Sequence, residues 1–184
     1  MAQWNRIARR IRVPLGFVFA ALFLWLAHST PLFLAASLIL VVPGLLLRGY
    51  ASGYVKKNAE LTTTGPYAHT RNPLYLGSIL IAFGFALASR SLWIAIILTA
   101  LFLIIYLPVI RAEERYLRSA FPGFDEYATH VPRLLPRLTP APSQRPISAG
   151  FSSGLYRKHR EYNALIGAAS MYAALILKLL FLHQ

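Results

Sequence analysis

Cysteine is absent from the 184-residue sequence, which excludes disulfides, thiolate metal sites and cysteine nucleophiles. Acidic residues are scarce, six against nineteen Lys and Arg, for a formal net charge of +13. Charged residues make up only 14% of the chain, where a soluble domain carries about 25%. Polar surface is therefore too small to solvate a globule. The five histidines, His28, His69, His130, His159 and His183, form no i,i+4 pairs, so no metal site is expected. Phosphate loops, dinucleotide glycine fingerprints and nucleophile elbows are missing as well.

The sequence instead holds 57% hydrophobic residues, gathered in five apolar runs. Spans are expected near residues 13–28, 31–48, 73–88, 91–111 and 163–182, since a crossing helix takes about 20 apolar residues. The fold class is all-α: a polytopic membrane protein of about five transmembrane helices with cytoplasmic cofactor-binding loops, residues 1–184 forming one membrane-embedded domain. Only His28, Ser29 and Thr30 separate the first two runs, and only Ser89 and Arg90 the third and fourth, so each pair reads as an antiparallel hairpin. With the N-terminus on the opposite side from these tips, every Lys and Arg except Arg90 and Lys178 falls on the N-terminal side, as do all the acids. The positive-inside rule then makes the N-terminus cytoplasmic, and an inner bacterial membrane is the expected location. Topology accounts for the charge, and no nucleic-acid partner is implied. The basic start and apolar core also resemble a signal peptide; lacking a clear small-x-small cleavage site, the segment reads as a retained hairpin. Lys178 is expected either to snorkel to the outer interface or to face another helix.

Chemistry is confined to the cytoplasmic segments. Gly65-Pro66 marks a turn, and Asn72-Pro73 has the form of an N-cap and first helical residue. Arg71 thus stands at a helix N-terminus, where free N–H groups, the helix dipole and a guanidinium suit a carboxylate or phosphate; an interfacial anchor, with Tyr67 and Tyr75 in the aromatic belt, is the competing reading. As the fourth helix leaves the bilayer it carries Glu113 and Glu114, whose side chains point about 100° apart. Glu114 can pair with Arg118 or Arg111 along the helix, leaving Glu113 to accept from hydroxyls or an ammonium, or to take a proton. A solvated exit laced with ion pairs competes with this reading too. Residues 136–146 read as an extended Pro-rich linker.

Gly65-Pro66-Tyr67, then Arg71-Asn72-Pro73-Leu74-Tyr75-Leu76-Gly77, then an apolar hairpin, then Glu113-Glu114-Arg115-Tyr116-Leu117 and Phe121 to Tyr127, resemble the isoprenylcysteine carboxyl methyltransferase family and the related phospholipid methyltransferases. The resemblance covers residues 61–136, the expected catalytic region. It implies an integral membrane enzyme that transfers a methyl group from S-adenosylmethionine to a membrane lipid or lipidated acceptor, an isoprenylcysteine-type carboxylate or a phospholipid amine. The implied catalytic residues are Arg71, Glu113 and Glu114. The implied cofactor pocket takes Tyr67, His69, Arg71, Asn72, Pro73, Tyr75, Leu76, Gly77, Glu113, Glu114 and Leu117, with no metal. Asn72 departs from the family's usual histidine: it keeps hydrogen bonding but does not titrate near neutrality. A membrane NADPH-dependent reductase of the sterol-reductase type and a non-enzymatic scaffold are the alternatives.

Overall fold

The computed structural model describes residues 20–56, 59–142 and 150–182. These are helical, with no strand among them. In chain order they form α1 (20–26), α2 (Pro31–Ser52), a 3-10 turn (Gly65–Ala68), α3 (Pro73–Ser89), α4 (Leu92–Ala120), α5 (Phe124–His130), α6 (Ser153–His159) and α7 (Tyr162–Leu182). The helices α2, α4 and α7 are long and apolar enough to cross a membrane, and α3 is a shorter apolar helix. Their outward faces are hydrocarbon, with Leu32, Ile39, Trp93 and Phe181 each about 70% exposed or more. The chain is an all-helical polytopic membrane protein. Of the expected first span, residues 13–19 lie outside the described residues.

The fourth helix runs past the expected span of 91–111 to Ala120, and so carries Glu113 and Glu114 beyond the apolar stretch, as expected of a helix that leaves the bilayer. A π turn interrupts it at Phe102–Tyr106. Pro108 lies just beyond, where its ring would collide with the carbonyl of Ile104 in a regular α-helix; the wider turn relieves the clash. Two short helices, α5 and α6, lie outside the expected spans.

Without a hydrophobic drive between helices in lipid, association depends on close packing. Along α2 and α3 the approach is set by glycines: a Cβ on Gly77 would lie 2.7 Å from the Gly44 carbonyl oxygen, and one on Gly84 2.4 Å from a Val41 methyl. Pro43 sits inside α2 beside this contact. The hairpin tips meet, His28 N–H donating to the Ser89 carbonyl at 2.8 Å, and the core of Phe23, Leu34, Ile94 and Leu175 lies near that end. Both tips thus share one end of the bundle, and the polar loops lie at the other.

The two ends of α7 are pinned by charge. Lys178, partly buried, faces another helix, donating to the carbonyls of Leu24, Trp25 and Ala27, where α1 ends. At the other end Glu161 grips Arg48 of α2 at 2.8 Å, and between them Tyr172 meets Ser37 at 2.6 Å.

Candidate functional site

The loop before α3 is fastened to the segment that follows α5. Arg71 N–H donates to the Pro132 carbonyl, Arg137 N–H to that of His69 and Ala141 N–H to that of Ala68, each at 2.9 Å. Thr70 Oγ1 bridges the carbonyls of Arg133 and Leu134, and His69 Nδ1 lies 2.8 Å from the Arg137 carbonyl. The described part of the Pro-rich stretch is therefore a docked strap where the sequence suggested a free linker; residues 143–149 lie outside the described residues.

Glu114 is the hub of this end. Its side chain is 9% exposed; Arg133 reaches Oε2 at 2.7 Å and Arg71 Nε lies 3.1 Å from Oε1. That second contact lacks hydrogen-bond alignment, leaving Arg71 Nε without a hydrogen-bond acceptor, while the outer fork of Arg71 donates to the Ala128 carbonyl at 3.0 Å. The expected local pairs of Glu114 with Arg118 and Arg111 are replaced by these distant ones, since Arg118 turns to Asp125 at 2.6 Å. Phe124, 1% exposed, lies between the Arg71 and Arg118 guanidiniums, 6.0 and 5.6 Å from its ring centre. Asn72 occupies the N-cap position of α3 but makes no side-chain cap bond. It donates to Glu114 at 3.3 Å and to the Arg133 carbonyl at 3.1 Å, so an uncharged donor at this position completes the shell of a buried carboxylate.

Glu113 points the other way, exposed, and accepts from Tyr75 Oη at 2.9 Å. Tyr75 meets Tyr106 edge to face, centroids 6.1 Å apart, and Tyr106 lines an apolar cleft of about 230 Å³ between α3 and α4, with Ile79, Phe83, Leu101 and Phe102. A line of aromatic contacts thus joins an exposed carboxylate to space within the bundle. Pro73 is buried at the start of α3. Gly77 faces α2, where a Cβ would lie 2.6 Å from Arg48 Cγ; its place is the helix contact. Leu76 and Leu117 are partly buried.

Tyr67 and Tyr127 support the loops. Tyr127 Oη donates to the Tyr67 carbonyl at 2.7 Å. Burial pushes the Tyr67 phenol well above its ordinary value of 10.0, and negative charge on Tyr127, Glu113 and Glu161 raises it further. Burial likewise raises Tyr127, opposed by Arg71 and reinforced by Glu114. The hydrogen bond and charge of Glu114 hold the Arg133 guanidinium more firmly protonated, against a smaller opposing effect of burial. A tyrosine raised on folding contributes stability that is complete below its unfolded pKa and is lost as pH rises toward the folded one. Spectrophotometric titration, with the Tyr67→Phe and Tyr127→Phe variants to assign the two phenols, should therefore leave both un-ionised well past pH 10, with stability falling from about that pH upward. Normal titration of Tyr67 and Tyr127 in folded protein would contradict the packing.

Sequence reading gave no role to Arg133, Tyr127, Arg48 or Glu161. Tyr127 ends the Phe121–Tyr127 stretch of the resemblance, the other three lie outside its quoted residues, and each of the four reaches its partner through the tertiary fold. Among the described residues no group of three or more His, Asp or Glu side chains is placed to hold a metal ion.

Fold and site together define a polytopic helical membrane protein with a charged loop cluster closing one end of its bundle. Residues 47–123 match the phospholipid methyltransferase family, and this segment is of the family that the Arg71–Gly77 motif and the Glu113-Glu114 pair resemble. The chain is 36% identical over 137 residues to the cobalt-zinc-cadmium resistance protein CzcN of Cupriavidus metallidurans, covering 70% of this chain and 62% of that protein. It is 41% identical over 90 residues to the nickel-cobalt-cadmium resistance protein NccN of Alcaligenes xylosoxydans xylosoxydans, covering 49% and 41% respectively. The chain thus spans less than two thirds of the length of either relative. No solved structure matches.

Proposed function

We propose that the chain is an S-adenosylmethionine-dependent methyltransferase of the cytoplasmic membrane face, acting as one membrane-embedded domain on a lipid-like acceptor. The observation that carries the reading is the family segment 47–123, containing Glu113 and the Tyr75 hydroxyl bound to it above an apolar cleft. Of the side chains present, the partly exposed Arg133 guanidinium suits the cofactor's carboxylate, which leaves Glu113 to the acceptor. S-Adenosylmethionine, when bound, supplies an electrophilic methyl group on a sulfonium.

The charges favour an amine acceptor over a carboxylate. Arg71, which could have oriented a carboxylate, is engaged by Glu114 and the Ala128 carbonyl. The exposed charge on the cleft side is the Glu113 carboxylate, which attracts a cationic head and repels an anionic one. An ammonium must lose a proton before its nitrogen bonds to the methyl carbon as the sulfur–carbon bond breaks, and Glu113 is the candidate base. The protein's share of the work is alignment and exclusion of water by the strapped loops. A part in metal resistance, the role printed in the relatives' names, would on this reading be exercised through membrane lipid.

Titration of the purified protein with S-adenosylmethionine, its demethylated product and NADPH, read by calorimetry and by melting temperature, tests the cofactor. Saturable binding of the two adenosyl ligands with a rise in melting temperature is expected. Binding of NADPH alone would install the reductase, and binding of none by folded protein would favour the scaffold.

A further inference from the structure

A second cavity, of about 340 Å³, lies among α1, α2, α3, α4 and α7 and adjoins the α3–α4 cleft, sharing Ser78, Ala82 and Leu98 with it. Its wall is hydrocarbon, including Phe23, Ile81, Phe85, Ala168 and Met171, and only Arg48 and Ser78 bring polar groups to it. The Arg48 fork is turned onto the Glu161 carboxylate, Nε and Nη2 reaching its oxygens at 2.8–3.1 Å, and Nη1 donates to Ser78 and to the Leu74 carbonyl. An apolar chamber ending on a guanidinium complements a hydrocarbon chain with an oxyanion head.

In the present conformation Glu161 supplies that oxyanion, and its setting makes the contact exchangeable. It belongs to the turn between α6 and α7, directly after Arg160, whose φ of 54° is left-handed, a conformation L-residues adopt at a cost. The same corner carries the exposed Arg157, Lys158 and Arg160, so four cations including Arg48 face one carboxylate, and an incoming anion enters a positive field. Gly167 lines the cavity from an exposed position on α7, and a Cβ there would meet no heavy atom within 4 Å, so the cavity is open on this side to an entering chain.

We propose that this cavity binds an amphiphile with one apolar chain and a carboxylate or phosphate head, the head taking the place of Glu161 on Arg48. Arg48, which would hold the head, lines this cavity and not the cleft assigned to the methyl acceptor. Glu161 then competes with the ligand, and neutralising Glu161 must therefore tighten binding.

The test uses cis-parinaric acid as a fluorescent chain carboxylate on the detergent-purified full chain, with protein-free micelles as blank and palmitate, hexadecyl phosphate and hexadecanol as competitors. Either anion should displace the probe, and hexadecanol should do so about tenfold less well or worse, as expected for loss of a charge-assisted contact. Competition by the phosphate alone would assign the head to a lipid phosphate, and competition by palmitate would admit a free fatty acid. Glu161→Gln should raise probe affinity several-fold. Gly167→Leu, which fills the chamber, should abolish probe binding with little change in melting temperature. Equal displacement by hexadecanol, or unchanged or weaker binding by Glu161→Gln, would overturn the proposal, and the latter decides the matter even if Gly167→Leu fails to fold.

Discussion

Replacing Glu114 with alanine should destabilise the protein by about 3–5 kcal/mol, the usual consequence of removing one partner from a buried ion pair. The loss falls mainly on Arg71, whose side chain is 13% exposed and would be left charged beside Phe124 with only the Ala128 carbonyl. Arg133, 39% exposed, is partly screened by water and contributes less. Asn72 would also lose one acceptor of its amide N–H groups. Thermal unfolding in detergent measures the effect, and limited proteolysis locates it: the strap from Val131 to Pro142 should become cleavable at temperatures where the helices persist. Glu114→Gln keeps the shape but not the charge and should fall between the two. An unchanged melting temperature in Glu114→Ala would show that the loops do not depend on this carboxylate.

Glu113→Ala should do the opposite, lowering methyl transfer by about 10²–10⁴-fold, the usual range for losing a positioned acid or base, while leaving the melting temperature unchanged. Glu113 is exposed, with Tyr75 as its hydrogen-bonding partner, so little folding energy rests on it. Tyr75→Phe removes the hydroxyl that fixes the carboxylate and should give a smaller loss of the same kind. Measuring both with an amine-headed lipid and an isoprenylcysteine acid separates the acceptor classes. Activity retained in Glu113→Ala would move the reacting end elsewhere.

The different parts of these adjacent glutamates were partly legible in the sequence. Helical geometry sets neighbouring side chains about 100° apart, so one had to turn away from whatever the other met. Which partner Glu114 takes was not legible. Local spacing favoured Arg111 and Arg118, but Arg133, nineteen residues on, arrives because the strap is tied to Ala68 and His69 by backbone hydrogen bonds. Asn72 shows the same limit: its sequence position is that of a cap, and it is indeed the residue before α3, yet the buried carboxylate draws its amide away from the helix. Hydrophobic runs located α2, α3 and α7 within a few residues, because length and apolarity decide a span. The run at 91–111 marks the apolar stretch of α4, which continues to Ala120, since hydropathy reports where lipid ends and not where a helix does. The motif glycine at 77 was read through the family as part of a cofactor pocket; its closest contacts lie on α2, information held in Gly44 and Arg48.

Lys178 bears on the order in which the molecule is assembled. A lysine within an apolar span makes that span harder to insert, and the carbonyls of Leu24, Trp25 and Ala27 that receive it are gathered only once the first hairpin is in place. During biogenesis the C-terminal helix therefore finds its stable transmembrane seat late, against a partner synthesised more than 150 residues earlier. Integration is in this sense a joint act of both ends of the polypeptide, and a chain whose first hairpin is mis-inserted gives its last helix no place to settle.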